Sequence, residues 1–289
     1  MANAVLEMGS DDTVRADDGF FFGIGAFETI AVSGRAPIFL DWHMERLGST
    51  LRYLGVAFDR VDLEDRVRRA CAGLDAEGEM ALKLTVTERN RLVTFRENPY
   101  VATGERRGFA CDYSAVQRSA SSPLAQMKTL AYAENILEKR RARERGIDEP
   151  LFLNATGEVC EGAVSNIFAV IDGEIVTSPV SCGLLPGIMR RFAIEATGAA
   201  VHPFTPAELA GASEVFLTNS LMGAMPVRRI GESVFEPGRV VHAVDEAYVR
   251  EVARARRAAC GDDTAARTGM SSPGAFTAAD RVIEGGGRR

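Results

Sequence analysis

Between residues 40 and 87 the hydrophobic period of this chain changes from that of a helix to that of a strand, and only a mixed fold buries both patterns. Leu40, Met44, Leu47, Leu51 and Leu54 recur in steps of four and three, which puts them on one helical face with Glu45, Arg46 and Arg52 mostly off it. A second helix fits residues 63–74 through Leu63, Val67 and Cys71. The period then drops to two in Ala81-Leu82-Lys83-Leu84-Thr85-Val86-Thr87, the alternation of a half-buried strand. Shorter strands are expected over residues 92–95 and 108–113.

These elements suggest a small N-terminal α/β domain over residues 1–113. Residues 114–126 (SAVQRSASSPLAQ) are rich in Ser and Ala, carry a Pro and show no apolar period, so they read as an interdomain linker. A larger mixed domain follows over residues 127–259. It opens with a charged helix over residues 132–145 that ends at Gly146, a residue suited to a left-handed cap. A hairpin is expected at Asp172-Gly173, between strands at residues 166–171 and 174–177. Leu185-Pro186-Gly187 precedes a helix over residues 188–196, residues 214–218 read as a strand, and Val241, Val244, Tyr248 and Val252 mark a last amphipathic helix. Residues 260–289 are dominated by Gly and small polar residues and are expected to form a disordered tail.

Composition narrows the function. The 289 residues are 46% hydrophobic and 26% charged, the balance of a globular chain rather than a disordered one. A net charge of -6 repels polyanions, so nucleic acid is not an expected partner. No apolar run is long enough to cross a bilayer, and the acidic start MANAVLEMGSDDTVRADDG lacks the basic and apolar regions of a signal peptide, which points to a cytoplasmic protein with no membrane partner. Five scattered cysteines form no CxxC pair, and His43, His202 and His242 have no HxxxH spacing, so no metal site is expected. The chemistry must rest on other residues or on an organic cofactor.

Three segments carry that chemistry. The first is Gly19-Phe20-Phe21-Phe22-Gly23-Ile24-Gly25-Ala26-Phe27-Glu28-Thr29-Ile30, followed by His43-Met44-Glu45-Arg46-Leu47. The second is Met127-Lys128-Thr129-Leu130-Ala131-Tyr132, and the third is Glu161-Gly162-Ala163-Val164-Ser165-Asn166-Ile167-Phe168 followed by Leu185-Pro186-Gly187-Ile188-Met189-Arg190-Arg191. Their order and spacing resemble the class IV aminotransferases, which include branched-chain and D-amino-acid aminotransferases and 4-amino-4-deoxychorismate lyase. The resemblance spans roughly residues 17–250, and several motifs in order are more specific than any one alone. It implies a two-domain mixed α/β fold of fold type IV (D-amino-acid aminotransferase-like), pyridoxal 5'-phosphate as cofactor, a small-molecule substrate, and a homodimer whose sites are completed by the partner subunit.

Pyridoxal phosphate asks a protein for an amine, an acid at the pyridine nitrogen, a phosphate cradle and a fixed ring face. In isolation Lys128 would be a surface lysine; the resemblance makes it the lysine that bonds to the cofactor aldehyde, and that task requires a desolvated, neutral amine. Glu161 matches the carboxylate at the pyridinium nitrogen, with Glu158 excluded by the Glu-Gly-x-x-Ser-Asn-x-Phe frame. Arg46 matches the phosphate-binding arginine, whose planar donor fork suits that ligand. Gly187, Ile188 and Met189 open a helix, where unpaired N–H groups favour an anion. The family's aminotransferases usually have Thr at the position of Met189, so here only the backbone can donate, and Ser220 lines up with a second phosphate-binding threonine. Tyr132 resembles the tyrosine that branched-chain enzymes place near the ring's phenolic oxygen.

The choice of reaction falls to other segments. Branched-chain enzymes typically read Glu-Gly-x-Gly-Glu-Asn at the site of Glu-Gly-Ala-Val-Ser-Asn, and the Arg-x-His trap of D-amino-acid aminotransferases is replaced by Arg89-Asn90-Arg91 and Arg96-Glu97-Asn98. Thr218-Asn219-Ser220-Leu221-Met222-Gly223-Ala224-Met225-Pro226-Val227, Gly187-Ile188-Met189-Arg190 and Gly23-Ile24-Gly25-Ala26-Phe27-Glu28-Thr29 look like lyase segments. The resemblance thus implies an aminodeoxychorismate lyase that makes 4-aminobenzoate and pyruvate for folate synthesis, with Lys128 and Thr29 catalytic. Arg91 and Arg96 are candidates for the substrate carboxylates by charge. The alternative is an aminotransferase acting between a D- or branched-chain amino acid and a 2-oxo acid. A non-catalytic cofactor-binding protein is disfavoured because Lys128 and Glu161 are both present. A dinucleotide loop at Gly23-Ile24-Gly25 lacks its third glycine and crossover helix.

Overall fold

The computed structural model describes residues 5–7, 14–101 and 107–260. The two periods seen in sequence become two sheets with helices packed on them. The smaller sheet is antiparallel throughout, in the order β1 (Val5–Glu7), β5 (Arg91–Glu97), β4 (Glu79–Val86), β2 (Ala26–Ser33) and β3 (Ala36–Pro37). A short helix α1 (Asp18–Phe22) precedes β2, and α2 (Leu40–Tyr53) and α3 (Arg60–Ala72) cover one face. The stripe expected on α2 is the buried one, with Leu40, Met44, Leu47 and Leu51 packed against Ile30, Leu82, Leu84 and Val67. Along β2 alternate residues divide between the two faces: Ile30 joins this core, while Phe27 and Thr29 face the opposite side of the sheet and line a cavity.

The larger sheet contains β6 (Phe109–Arg118), β7 (Glu149–Asn154), β8 (Val159–Gly162), β9 (Asn166–Ile171), β10 (Glu174–Thr177), β11 (Ala200–Val201), β12 (Glu214–Asn219) and β13 (Gly223–Ile230), with β14 (Ser233–Val234) paired to β13. Its order is β11-β10-β9-β12-β13-β6-β7-β8, and the pairing of Glu161 with Asn166 joins β8 back to β9. Six strands therefore close into a ring. Leu151, Ile167, Val215, Leu217 and Val227 cluster on one face of it. On the other face Phe168 and Phe216 stack at 5.0 Å beneath α5 (Ile188–Thr197) and α7 (Arg239–Ala259). Helices α4 (Ala133–Glu144) and α6 (Pro206–Ala210) flank β7 and β9. The hairpin expected at Asp172-Gly173 joins β9 to β10.

The stretch expected as a linker over residues 114–126 is different. The strand expected over residues 108–113 runs on to Arg118, pairs in parallel with β13 and β7, and so belongs to the larger sheet rather than to the N-terminal unit. Backbone pairing, not side-chain burial, holds this half of β6, which is why no apolar period announced it. Residues 123–126 add one 3-10 turn. The tail expected over residues 260–289 lies, beyond Cys260, outside the described residues. Among those described, no helix is long and apolar enough to cross a membrane.

Candidate active site

A cavity of about 560 Å³ lies between the two sheets, lined by Thr29, Arg46, Lys128, Tyr132, Glu161, Ile188, Met189 and Ser220. The structure thus brings these eight residues, each singled out from sequence, to one space. Lys128 arrives on an extended segment that borrows the end of β2: the Phe27 N–H donates to the Lys128 carbonyl at 3.0 Å and the Leu130 N–H to the Gly25 carbonyl at 2.9 Å. That approach is possible because residue 25 has no side chain. A Cβ there would come within 2.8 Å of both the Val86 carbonyl oxygen and the Leu130 side chain. The glycine motif that resembled a nucleotide loop is thus a docking strip for the lysine segment.

The Lys128 amine lies 4.6 Å from the centre of the Phe27 ring and 4.9 Å from that of Tyr132. Burial lowers its pKa to about 8, helped by the positive Arg46 and Lys83 and opposed by Glu28 and Glu161. Part of this amine is neutral near physiological pH, as a nucleophile or a base needs. The Tyr132 ring meets Phe27 edge-on at 5.2 Å, and its hydroxyl donates to the Ala163 carbonyl at 3.1 Å. Asn135 serves the same carbonyl at 2.7 Å.

Glu161 sits on β8 where the ring of strands closes. Its Oε2 accepts from the Leu185 N–H at 3.0 Å, and its Oε1 lies 3.4 Å from Arg118 Nε. Burial still raises its pKa to about 7, against the pull of Arg118 and the Leu185 N–H. A neighbouring ring cation would bring it down. Arg118 was hidden in the supposed linker; its guanidinium lies 3.9 Å from the Phe152 ring centre and donates to Glu134 at 2.7 Å. Glu158 remains at its turn, bonded to Asn154 and Thr156.

Arg46 projects from α2 and is clamped. Its Nε and Nη2 donate to Glu28 at 2.9 and 2.6 Å, and its Nη1 to the Pro186 carbonyl at 3.1 Å. Burial alone would raise the Glu28 carboxyl, but Arg46 and His43, whose Nδ1 lies 2.6 Å away, hold it at about 2. Burial keeps His43 below its usual value despite that carboxylate. Glu28 and His43 were visible in the motifs but had no role assigned. Opposite Arg46 begins α5, whose Gly187 N-cap offers no side-chain cap, so the Ile188 and Met189 N–H groups have no partner within the helix. A Cβ on Gly187 would stand 2.0 Å from Asn166 Oδ1. The frame around Asn166 therefore demands glycine at the helix start and leaves its first N–H groups open to an anion.

The remaining wall is the smaller sheet. Thr29, Lys83 and Thr94 are paired across β2, β4 and β5, and all three line the cavity together with Arg96. Burial, and then Arg96, lowers the Lys83 pKa. Neither cation has an ion-pair partner among the described residues. Arg91, the other candidate for a substrate carboxylate, turns away and donates to the carbonyls of Thr87 and Ala57 at 2.5 and 2.7 Å. An odd position on β5 puts it on the opposite face from Arg96. Lys83 was legible only as the polar member of an alternating strand.

The chain is similar to known proteins. The chain is 24% identical over 261 residues to the aminodeoxychorismate lyase of Bacillus subtilis, covering 82% of this chain and 88% of that one. It is 28% identical over 233 residues to a probable branched-chain-amino-acid aminotransferase of Thermotoga maritima, covering 77% and 84%. The crystal structure of 4-amino-4-deoxychorismate lyase from Pseudomonas aeruginosa superposes with a TM-score of 0.73 at 29% identity, over 86% of this chain and 98% of that one. The model of the class IV amino-transferase family matches residues 25–230, and the chain belongs to that family.

Proposed function

We propose that this enzyme is a pyridoxal phosphate-dependent 4-amino-4-deoxychorismate lyase, releasing 4-aminobenzoate and pyruvate. The observation that carries the lyase reading is the pair of cations, Lys83 and Arg96, which have no ion-pair partner among the described residues and line the cavity with Thr29. The substrate bears two carboxylates, one on the ring and one on the enolpyruvyl group, and each needs a counter-charge when water is displaced. Similarity to lyases from two organisms, one of them of known structure, supports the same choice.

The residues fit the cofactor. Lys128 offers the amine, Glu161 the acid for the pyridine nitrogen, and Arg46 with the Ile188 and Met189 N–H groups and the Ser220 hydroxyl a cradle for the phosphate. When bound, the cofactor supplies an electron sink at the substrate's amine-bearing carbon. The Lys128 amine would act as the base that takes the proton from that carbon. Glu161 would pair with the pyridine nitrogen and keep it protonated. Lys83 and Arg96 would hold the two carboxylates and so orient the bond between the ring carbon and the enolpyruvyl oxygen, and the protonated Lys128, directly or through Thr29, would return its proton to the methylene carbon of the departing enolpyruvate to give pyruvate. The ring aromatises as that bond breaks. Tyr132, its proton given to Ala163, packs beside Lys128 and Phe27 and helps to keep water from the amine.

The protein is further read as a cytoplasmic homodimer. Phe20, Phe21 and Phe22 on α1 are 72%, 63% and 72% exposed, a concentration of apolar surface that a second copy would cover. Sedimentation at micromolar concentration checks the dimer. The activity is tested by 4-aminobenzoate fluorescence after addition of 4-amino-4-deoxychorismate. Product formed without any 2-oxo acid supports the lyase. A cofactor-loaded enzyme that gives none, yet transfers an amino group from D- or branched-chain amino acids to 2-oxoglutarate, is the aminotransferase instead.

A further inference from the structure

Most buried polar side chains here are satisfied, and the exceptions are few. One of them is Thr218, 1% exposed at the end of β12, whose Oγ1 has no hydrogen-bond partner among the described residues. A buried hydroxyl without a partner is destabilising, so its retention calls for a ligand or a packing reason. Register shows where it lies. Thr218 is paired directly with Asn166 on β9, and directly opposed residues project from the same face. That face is the one under α5, because Phe216 and Phe168, paired with each other two residues back along β12 and two residues on along β9, stack there. The Asn166 side chain donates to the Leu185 carbonyl at 2.9 Å and abuts Gly187. Thr218 is therefore next to the turn that opens α5, and it lines the same cavity as Arg46, Met189 and Ser220.

We propose that Thr218 Oγ1 is an additional donor to the phosphate of the bound cofactor, supplying a hydroxyl to a cradle in which Met189 has none. The inference rests on the pyridoxal phosphate reading above. It differs from a packing role in one respect: the hydroxyl, not the shape of the side chain, matters. Thr218→Val keeps the β-branched shape and removes the donor, whereas Thr218→Ser keeps the donor and removes the methyl group.

The test is titration of cofactor-free protein by calorimetry with two ligands, pyridoxal phosphate and pyridoxal, which share the ring and aldehyde and differ in the phosphate. Thr218→Val is expected to weaken pyridoxal phosphate about tenfold or more, as loss of one hydrogen bond to a charged group does. Pyridoxal affinity is expected to stay within about twofold, and Thr218→Ser to bind pyridoxal phosphate within about threefold of the unmodified protein, differences that each correspond to under 1 kcal/mol. Thermal unfolding of the cofactor-free Val variant should be unchanged or shifted upward, because an unmet hydroxyl has gone. Equal pyridoxal phosphate affinity in the Val variant overturns the proposal and leaves the cofactor reading standing. Equal weakening of both ligands overturns it too, by showing a general distortion. Unmodified protein that binds neither ligand overturns the cofactor reading itself.

Discussion

Where Arg46, Glu161 and the start of α5 converge, the charged groups are tied down before any ligand arrives; on the small-sheet side they are not. Arg46 has three hydrogen bonds to Glu28 and Pro186, and Glu161 has Arg118 and the Leu185 N–H. Lys83 and Arg96 stand on neighbouring strands with no ion-pair partner among the described residues. The first arrangement suits a cofactor that stays, since prepaid orientation leaves little entropy to lose on binding. The second suits a substrate that comes and goes, because its own carboxylates complete the pairing. Cofactor affinity should therefore be robust to single changes on the substrate side and fragile on the other.

The largest effect is expected at the residue both sides share. Lys128→Met should lower turnover by roughly 100- to 10,000-fold or more, the range for loss of a positioned base, and should abolish the visible absorbance of cofactor held covalently. Retained colour with retained turnover would sink the assignment of Lys128. Next comes the clamp. Glu28→Gln leaves Arg46 buried without its carboxylate, and breaking a buried pair in this way costs about 3–5 kcal/mol, read as a lower denaturation midpoint together with weaker cofactor binding. The sign of its pH dependence is fixed. With the folded pKa near 2 against 4.5 for a solvated carboxyl, the stability from Glu28 is complete above pH 4.5 and is lost as pH falls toward 2. An unmodified protein that keeps its stability across that interval contradicts the clamp.

On the substrate side, Lys83→Gln and Arg96→Gln should each raise KM with little change in kcat or in cofactor absorbance. A charge-assisted hydrogen bond is worth about 1.5–3 kcal/mol, which corresponds to roughly 10- to 150-fold in KM. If either substitution instead releases the cofactor, the division between the two sides fails.

The division also explains what could be read from sequence. Helix α2 and strand β4 were legible because burial imprints a period on apolar residues, and the family frame around Glu161 and Lys128 was legible because it is local. Arg118 was not, since its strand is held by backbone pairing within a Ser- and Ala-rich stretch that reads as a linker. Nor was the placement of Arg91 against that of Arg96: both are arginines of one strand, and only their parity decides which meets the cavity. Lys83 showed only as the polar member of an alternating strand, because a sequence does not say whether the polar face of a sheet meets water or a cavity. The role of Gly25 depended on a segment more than a hundred residues away.

The smallest effect probes the link between the two sides. The Lys128 amine and Lys83 both sit over the Phe27 ring, each 4.6 Å from its centre, and both Arg46 and Lys83 push the Lys128 pKa down. Removing a like charge favours the protonated amine, so Lys83→Gln should move the titration of Lys128 upward from about 8, and Arg46→Gln should move it further. The rate at which trinitrobenzenesulfonate modifies Lys128 in cofactor-free protein, followed by peptide mapping across pH 6–11, reads this midpoint. Stability supplies an independent sign. A base titrating near 8 when folded and at 10.5 when solvated destabilises the fold below pH 8, and that penalty fades as pH rises to 10.5. Cofactor-free Lys128→Met should therefore be more stable than the unmodified protein at pH 7, with the gap closing by pH 10.5. A midpoint near 10.5 in the unmodified protein would mean that neither burial nor the neighbouring cations lower it, and one near 8 that neither substitution moves would mean that burial alone sets its reactivity.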